Sequence, residues 1–148
     1  MSISATSVAR SPRVAIVLLG ALALFQAIRI LAYSIIQDVL AGKIPEAWLF
    51  PAFMDVFIGV TAIFVAIALW SAKGLVVWTA AIVLFSLSIS DHLDAITVVL
   101  NSKGPLPAMM SGPTAATVTM LVVTSLVEAF AIWALTTERL RAHYLTAR

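Results

Sequence analysis

The chain predicts an all-α integral membrane protein, a four-helix bundle with its N- and C-termini in the cytoplasm. Three observations carry that expectation. Four long apolar stretches, at about 14–36, 47–70, 74–100 and 114–136, take up most of the 148 residues. Each is long enough for a hydrocarbon core of ~30 Å at ~1.5 Å of rise per residue. Hydrophobic residues make up 62% of the chain and charged residues 11%, against roughly 45–50% and 25% in soluble domains, and the mean hydropathy is +1.09. The basic residues lie unevenly. Arg10, Arg13, Lys73, Arg139, Arg141 and Arg148 fall on the side that holds both termini, and Lys43 and Lys103 on the other. By the positive-inside rule the first side is cytoplasmic.

The first stretch carries features of a cleaved signal, with Arg10 and Arg13 ahead of it and Ala21, Leu22 and Ala23 as a small-residue site. Its apolar run continues through Phe25, Ile28, Leu31 and Ile35, well beyond a signal core of ~7–15 residues, and reads as an uncleaved span. The segment 37–46 links spans one and two, with Gly42 and Pro45 as helix breakers. The four residues Ser71 to Gly74 form a tight turn that makes spans two and three antiparallel neighbours. The segment 101–113 is rich in proline and glycine, and Ser111 or Thr114 is placed to cap the last span. Trp48, Trp70, Trp78 and Trp133 lie towards span ends, where indole rings favour the interface. The tail 138–148 reads as a helical extension at the surface. The four spans leave a single membrane domain over 1–148, with a composition that suits a bacterial inner membrane.

Several function classes drop out. Cysteine is absent, which removes disulfides, thiolate metal sites and cysteine nucleophiles. No Walker, dinucleotide-binding, zinc-protease or nucleophile-elbow motif occurs. A second histidine within the spans, as haem ligation would need, is missing, and no cofactor is implied. Asp91, His92 and Asp94 do not share one helix face, so no metal site is expected. The net charge of +2 is small, and no nucleic-acid partner is expected.

Ionisable residues inside spans cost ~2.5–3.5 kcal/mol each at a helix centre on insertion scales, and they mark function by default. Helical spacing sorts them. Gln26, Arg29 and Tyr33 form one stripe of span one. Asp55 shares a stripe of span two with Gly59, Ala62 and Ala66, small residues that permit close helix contact. Ser88, Asp91 and Asp94 form a polar face of span three, while His92, about 100° from Asp91, faces a mostly apolar neighbourhood. In span four Thr114, Thr117, Thr124 and Glu128 share a stripe, with Leu121 between them. Arg29, Asp55, Asp91 and Asp94 fall in the non-cytoplasmic part of the membrane and Glu128 in the cytoplasmic half.

These residues predict an outward-facing polar pocket in which Arg29 pairs with Asp55 or Asp91. One guanidinium cannot neutralise three carboxylates, so the pocket is expected to hold a proton. The plain alternatives are that Arg29 and Asp94 snorkel to the interface, that Arg29 and Asp55 are a structural pair, and that His92 is a packed histidine.

The segment 51–62, with Pro51, Asp55, Gly59 and Ala62, resembles a P-x-x-x-D-x-x-x-G-x-x-A helix found in a set of uncharacterised small bacterial four-helix inner-membrane proteins. In those proteins a following helix carries an aspartate near its outer end, matched here by Asp91 and Asp94 in 87–95. The resemblance covers the middle third of the chain. It implies a fold in which Asp55 and an aspartate of span three belong together, and it implies no activity.

Three functions stay open on the sequence. The leading one is a non-enzymatic protein of the lipid bilayer that binds or moves a small solute or protons, as a homo-oligomer joined through the small-residue faces of span two and of 20–27. The others are an accessory subunit whose charges pair with a membrane partner, and a membrane enzyme whose carboxylates do acid–base chemistry on a lipid-like or isoprenoid substrate. The sequence assigns no catalytic residue.

Overall fold

The computed structural model describes residues 12–101, 104–110 and 112–146. Arg10, Lys103, Ser111 and Arg148 lie outside them. All regular structure among the described residues is helical. Four helical stretches are long and apolar enough to cross a membrane: Arg13–Leu40, Glu46–Ser71, Leu75–Asn101 and Thr114–Thr136. The first is α1 (Arg13–Phe25), a 3-10 segment (Gln26–Ala32) and α2 (Tyr33–Leu40) in direct succession. Then come α3 (Leu49–Ser71), α4 (Leu75–Asn101), α5 (Thr114–Thr136) and a short α6 (Glu138–Leu145).

Local chemistry sets the ends. Pro51 sits in the first turn of α3, where a missing N–H breaks no helical hydrogen bond. Gly74 takes φ 119° in the turn between α3 and α4, a conformation that favours glycine. Pro113 occupies the cap position of α5 without a side-chain hydrogen bond, so Thr114 opens that helix and does not cap it.

The helices pack in a row: α1 on α3, α3 on α4, α4 on α5. The 3-10 segment also packs on α3. Among the described residues the first long stretch and α5 meet only sparsely, through contacts that include the Gln26–Glu128 hydrogen bond, so the bundle is loosest along that edge. Two apolar clusters fill it. One holds Leu19, Ala23, Ala62, Leu69, Phe85, Leu135 and Tyr144. The other holds Ile35, Ile36, Trp48, Ala52, Val99 and Leu121. The buried polar residues Gln26, Arg29, Ser88, Asp91, His92 and Glu128 are carried by the middle stretches of these same helices.

Small residues set the helix separations. A Cβ added to Gly59 would stand 2.9 Å from the backbone nitrogen of Ile30, so the 3-10 segment lies directly on α3. A Cβ on Gly20 would fall inside the indole of Trp70. Of the faces that the sequence offered for self-association, Gly20, Ala23, Gly59, Ala62 and Ala66 are buried within the chain, while Ala21, Leu24 and Phe25 are exposed. Trp48 also departs from expectation. It is only 1% exposed and anchors the second cluster instead of an interface.

The C-terminal helix is not a free extension. It folds back, burying Leu140 and Tyr144 in the first cluster. The Tyr144 hydroxyl donates to the Leu69 carbonyl at 3.0 Å, and the Gly74 N–H donates to the Tyr144 carbonyl at 2.9 Å. Burial pushes the Tyr144 phenol up to about 12, so it stays a neutral donor. The adjacent His143 is held below its usual 6.5, first by burial and then by the Lys73 ammonium.

Two outcomes follow. Gly59→Ala forces the 3-10 segment away from α3 and lowers stability by ~1–3 kcal/mol, whereas Gly112→Ala, with nothing near its added Cβ, leaves thermal melts in detergent unchanged. For His143 the unfolded chain takes up the proton more readily than the folded one. The stability tied to it is whole above pH 6.5 and declines as pH drops through that value towards the lowered folded pKa. Melting temperature should fall over that window in the native chain and less in His143→Asn.

Candidate functional site

The 3-10 segment brings the site together. At three residues per turn, positions i, i+3 and i+6 lie over one another, and Gln26, Arg29 and Ala32 are the buried residues of this segment. An α-helical reading puts Tyr33 on that stripe. The tighter winding turns it away, and Tyr33 is 57% exposed. It is not part of the site.

From α3, Asp55 accepts from Arg29 Nε at 2.5 Å. From α4, Asp91 accepts from Arg29 Nη2 and Ser88 accepts from Nη1. The Gln26 side-chain carbonyl takes a weaker bond from Nη1 at 3.3 Å. From α5 comes Glu128, 1% exposed. Its Oε1 accepts from the Gln26 amide and from the Ser88 hydroxyl, the latter at 2.5 Å. Ser88 thus links the guanidinium to Glu128, accepting on one side and donating on the other. Arg29 has every nitrogen engaged and is 9% exposed.

His92 is the residue that sequence reasoning missed. Its Nε2 lies 3.3 Å from Arg29 Nη1. A guanidinium only donates, so Nε2 must accept there. The proton then sits on Nδ1, which lies 3.3 Å from Glu128 Oε2, 3.3 Å from Ser125 Oγ and 3.5 Å from Thr124 Oγ1. Both hydroxyls donate to the Leu121 carbonyl, at 2.9 and 3.0 Å, which leaves their lone pairs for His92. The buried face of α4 runs through Ser88, Asp91, His92, Ala95 and Val99. This sector is wide enough to hold both Asp91 and His92. Asp94 lies beyond its edge and is exposed, so it too leaves the site. The signal for His92 was its position four residues after Ser88, one turn along the same face.

Glu128 was expected apart from the other charges. The structure joins it to them through Gln26, Ser88 and His92, near the middle of each helix. Of the stripe in span four, Thr117 is buried and Thr124 reaches His92, while Thr114 is exposed. Among the described residues no group of three or more His, Asp and Glu is arranged to hold a metal ion.

The network lines a cavity of about 600 Å³. Gln26, Arg29, Asp55, Asp91, His92 and Glu128 form its floor, and Phe25, Ile28, Leu31, Met120 and Val127 its apolar walls. Met109 and Met110, in the segment between α4 and α5, also line it. Two fully buried oxygens, Asp91 Oδ1 and Glu128 Oε2, have no hydrogen-bond donor among the described residues. The approach of His92 Nδ1 to Oε2 is within ion-pair distance without the alignment of a hydrogen bond.

No protein-family model, curated protein or solved structure matches the chain. The functional reading therefore rests on this site.

Removing Arg29 leaves the buried Asp91 and the half-buried Asp55 without their charged donor, a loss of ~3–5 kcal/mol for a broken buried pair. Arg29→Gln should fail to accumulate as folded protein or melt far below the native chain. Adding Asp91→Asn should recover part of that loss, and a double-mutant cycle should return a coupling above ~1 kcal/mol.

Proposed function

We propose that the chain is a multi-pass protein of a bacterial inner membrane, with cytoplasmic termini, that binds or carries a small solute in a proton-linked pocket facing outwards. One observation supports this most. Five titratable groups from all four long helical stretches, Arg29, Asp55, Asp91, His92 and Glu128, share one hydrogen-bonded network along a cavity. A purely structural pair needs one partner and no cavity. Three carboxylates around one guanidinium hold more negative charge than that cation neutralises, and such a cluster takes up and releases protons as its occupant changes. The cavity reaches Met109 and Met110 in the loop after α4, on the non-cytoplasmic side in this orientation.

Infrared difference spectra of the protein in bilayers, acid minus alkaline, test the reading. The expected result is a carboxyl C=O band that vanishes in Glu128→Gln and shifts in Asp55→Asn. A spectrum with no such band, or a Glu128 band indifferent to Asp55, identifies independent structural charges and removes the proton-linked pocket.

A further inference from the structure

We propose that the cavity binds a lipophilic cation, a positively charged group on an apolar body, which reaches it sideways from the bilayer between the first and last long helices. The inference rests on the membrane reading above and adds to it the class of solute and the route.

The route comes from the packing. The stretch Gln26–Ala32 packs on α3, and α5 packs on α4, while the edge between them is only sparsely packed and is bridged by the Gln26–Glu128 hydrogen bond. The residues that flank that edge line the cavity and are also exposed: Phe25 is 64% exposed, Ile28 57%, Leu31 62%, Met120 53% and Val127 44%. The cavity therefore opens through an apolar mouth. In a bilayer that mouth faces acyl chains, and a solute with an apolar body passes it without desolvation.

The sign of the charge comes from the floor. Among the described residues the titratable groups lining the cavity are Arg29 from the 3-10 segment, Asp55 from α3, Asp91 and His92 from α4, and Glu128 from α5. With the carboxylates ionised, the floor carries two net negative charges when His92 is neutral and one when it is protonated. Each Arg29 nitrogen already donates to Asp55, Asp91 or Ser88, and an anion drawn to the guanidinium would lie against the Asp55 and Asp91 carboxylates, whose charge repels it. Among the described residues that line the cavity, the unmet buried groups are acceptors, Asp91 Oδ1 and Glu128 Oε2, on residues 3% and 1% exposed. A buried acceptor of this kind calls for a donor or a positive charge. A bare metal ion fits poorly, since the walls are apolar and the volume of about 600 Å³ suits a small organic molecule. An organic ammonium or phosphonium satisfies walls and floor together. Cation and protons then compete for the same carboxylates.

The test uses the full-length protein in lipid nanodiscs and two probes of one shape and opposite sign, tetraphenylphosphonium and tetraphenylborate, with empty nanodiscs as background. The expected result is saturable binding of the phosphonium alone, weakening on acidification by up to about tenfold per pH unit where one proton is displaced. Glu128→Gln and Asp91→Asn, each close in shape to the native residue, should each weaken it by roughly tenfold or more, a change of about 1.4 kcal/mol. Ile28→Trp and Val127→Trp should slow association, whereas Phe64→Trp, on an exposed part of α3 outside the cavity, should not. Equal binding of the borate, no saturable binding of either probe, or indifference to both carboxylate variants overturns the cation site. An unchanged association rate in both tryptophan variants overturns the lateral route. Two chains per nanodisc with no phosphonium bound would assign the loose edge to a second copy instead. The two readings fail separately. Loss of phosphonium binding with the coupled Glu128 band intact removes the cation and keeps the proton-linked pocket. Binding that ignores pH, without that band, does the reverse.

Discussion

The Arg29 guanidinium, 9% exposed and bonded to Asp55, Asp91 and Ser88, is the constraint on which the rest of the structure depends. A buried cation is tolerable only when its donors are all met. Meeting them requires residues from three helical stretches at one level. The 3-10 winding of Gln26–Ala32 aligns Gln26 with Arg29. Gly59 lets that segment lie against α3 near Asp55. Ser88 carries the network onward to Glu128 on α5. The apolar clusters on either side hold these helices together, but they do not specify register by themselves. A one-residue slip would break several charge-assisted bonds and would bring a larger side chain to the close contact at Gly59.

Much of this was legible in the sequence. Span lengths follow from apolar runs, and the observed helices differ from the expected bounds by a few residues, most at the first, which continues to Leu40. Arg29, Asp55, Asp91 and Glu128 were identifiable because charge is expensive among apolar neighbours. Tyr33 and Asp94 were misplaced for a shared reason: each was assigned to a face by spacing alone. Tyr33 assumed an uninterrupted α-helix, and no proline or glycine marks the 3-10 segment. Its buried residues Gln26 and Arg29 bond to partners distant in sequence. Asp94 continued an every-third-residue pattern that drifts off the buried sector of α4.

The place of His92 in the network and the docking of α6, whose helix was expected, were missed for other reasons. His92 has apolar sequence neighbours, and only the arrival of Thr124, Ser125 and Glu128 from α5 gives its ring nitrogens work. The helix α6 looks polar and surface-bound by composition. Two residues, Leu140 and Tyr144, reverse that, since their burial against the ends of α3 and α4 ties it down. Neither contact leaves a local signature.

The 3-10 segment has a mechanical side. Seven residues wound at three per turn are about 3.5 Å longer than the same seven in an α-helix, and they turn the chain by about 140° more. The C-terminal part of the first long helical stretch, Tyr33–Leu40, is therefore displaced as a screw is, by translation and rotation together. Its angular setting is fixed by whether Gln26 and Arg29 hold their partners. Rewinding the segment would draw that part inwards and swing the Tyr33 phenol round towards the face that Ala32 now occupies. Pairing at the centre of the helix and orientation at its end are thus one degree of freedom.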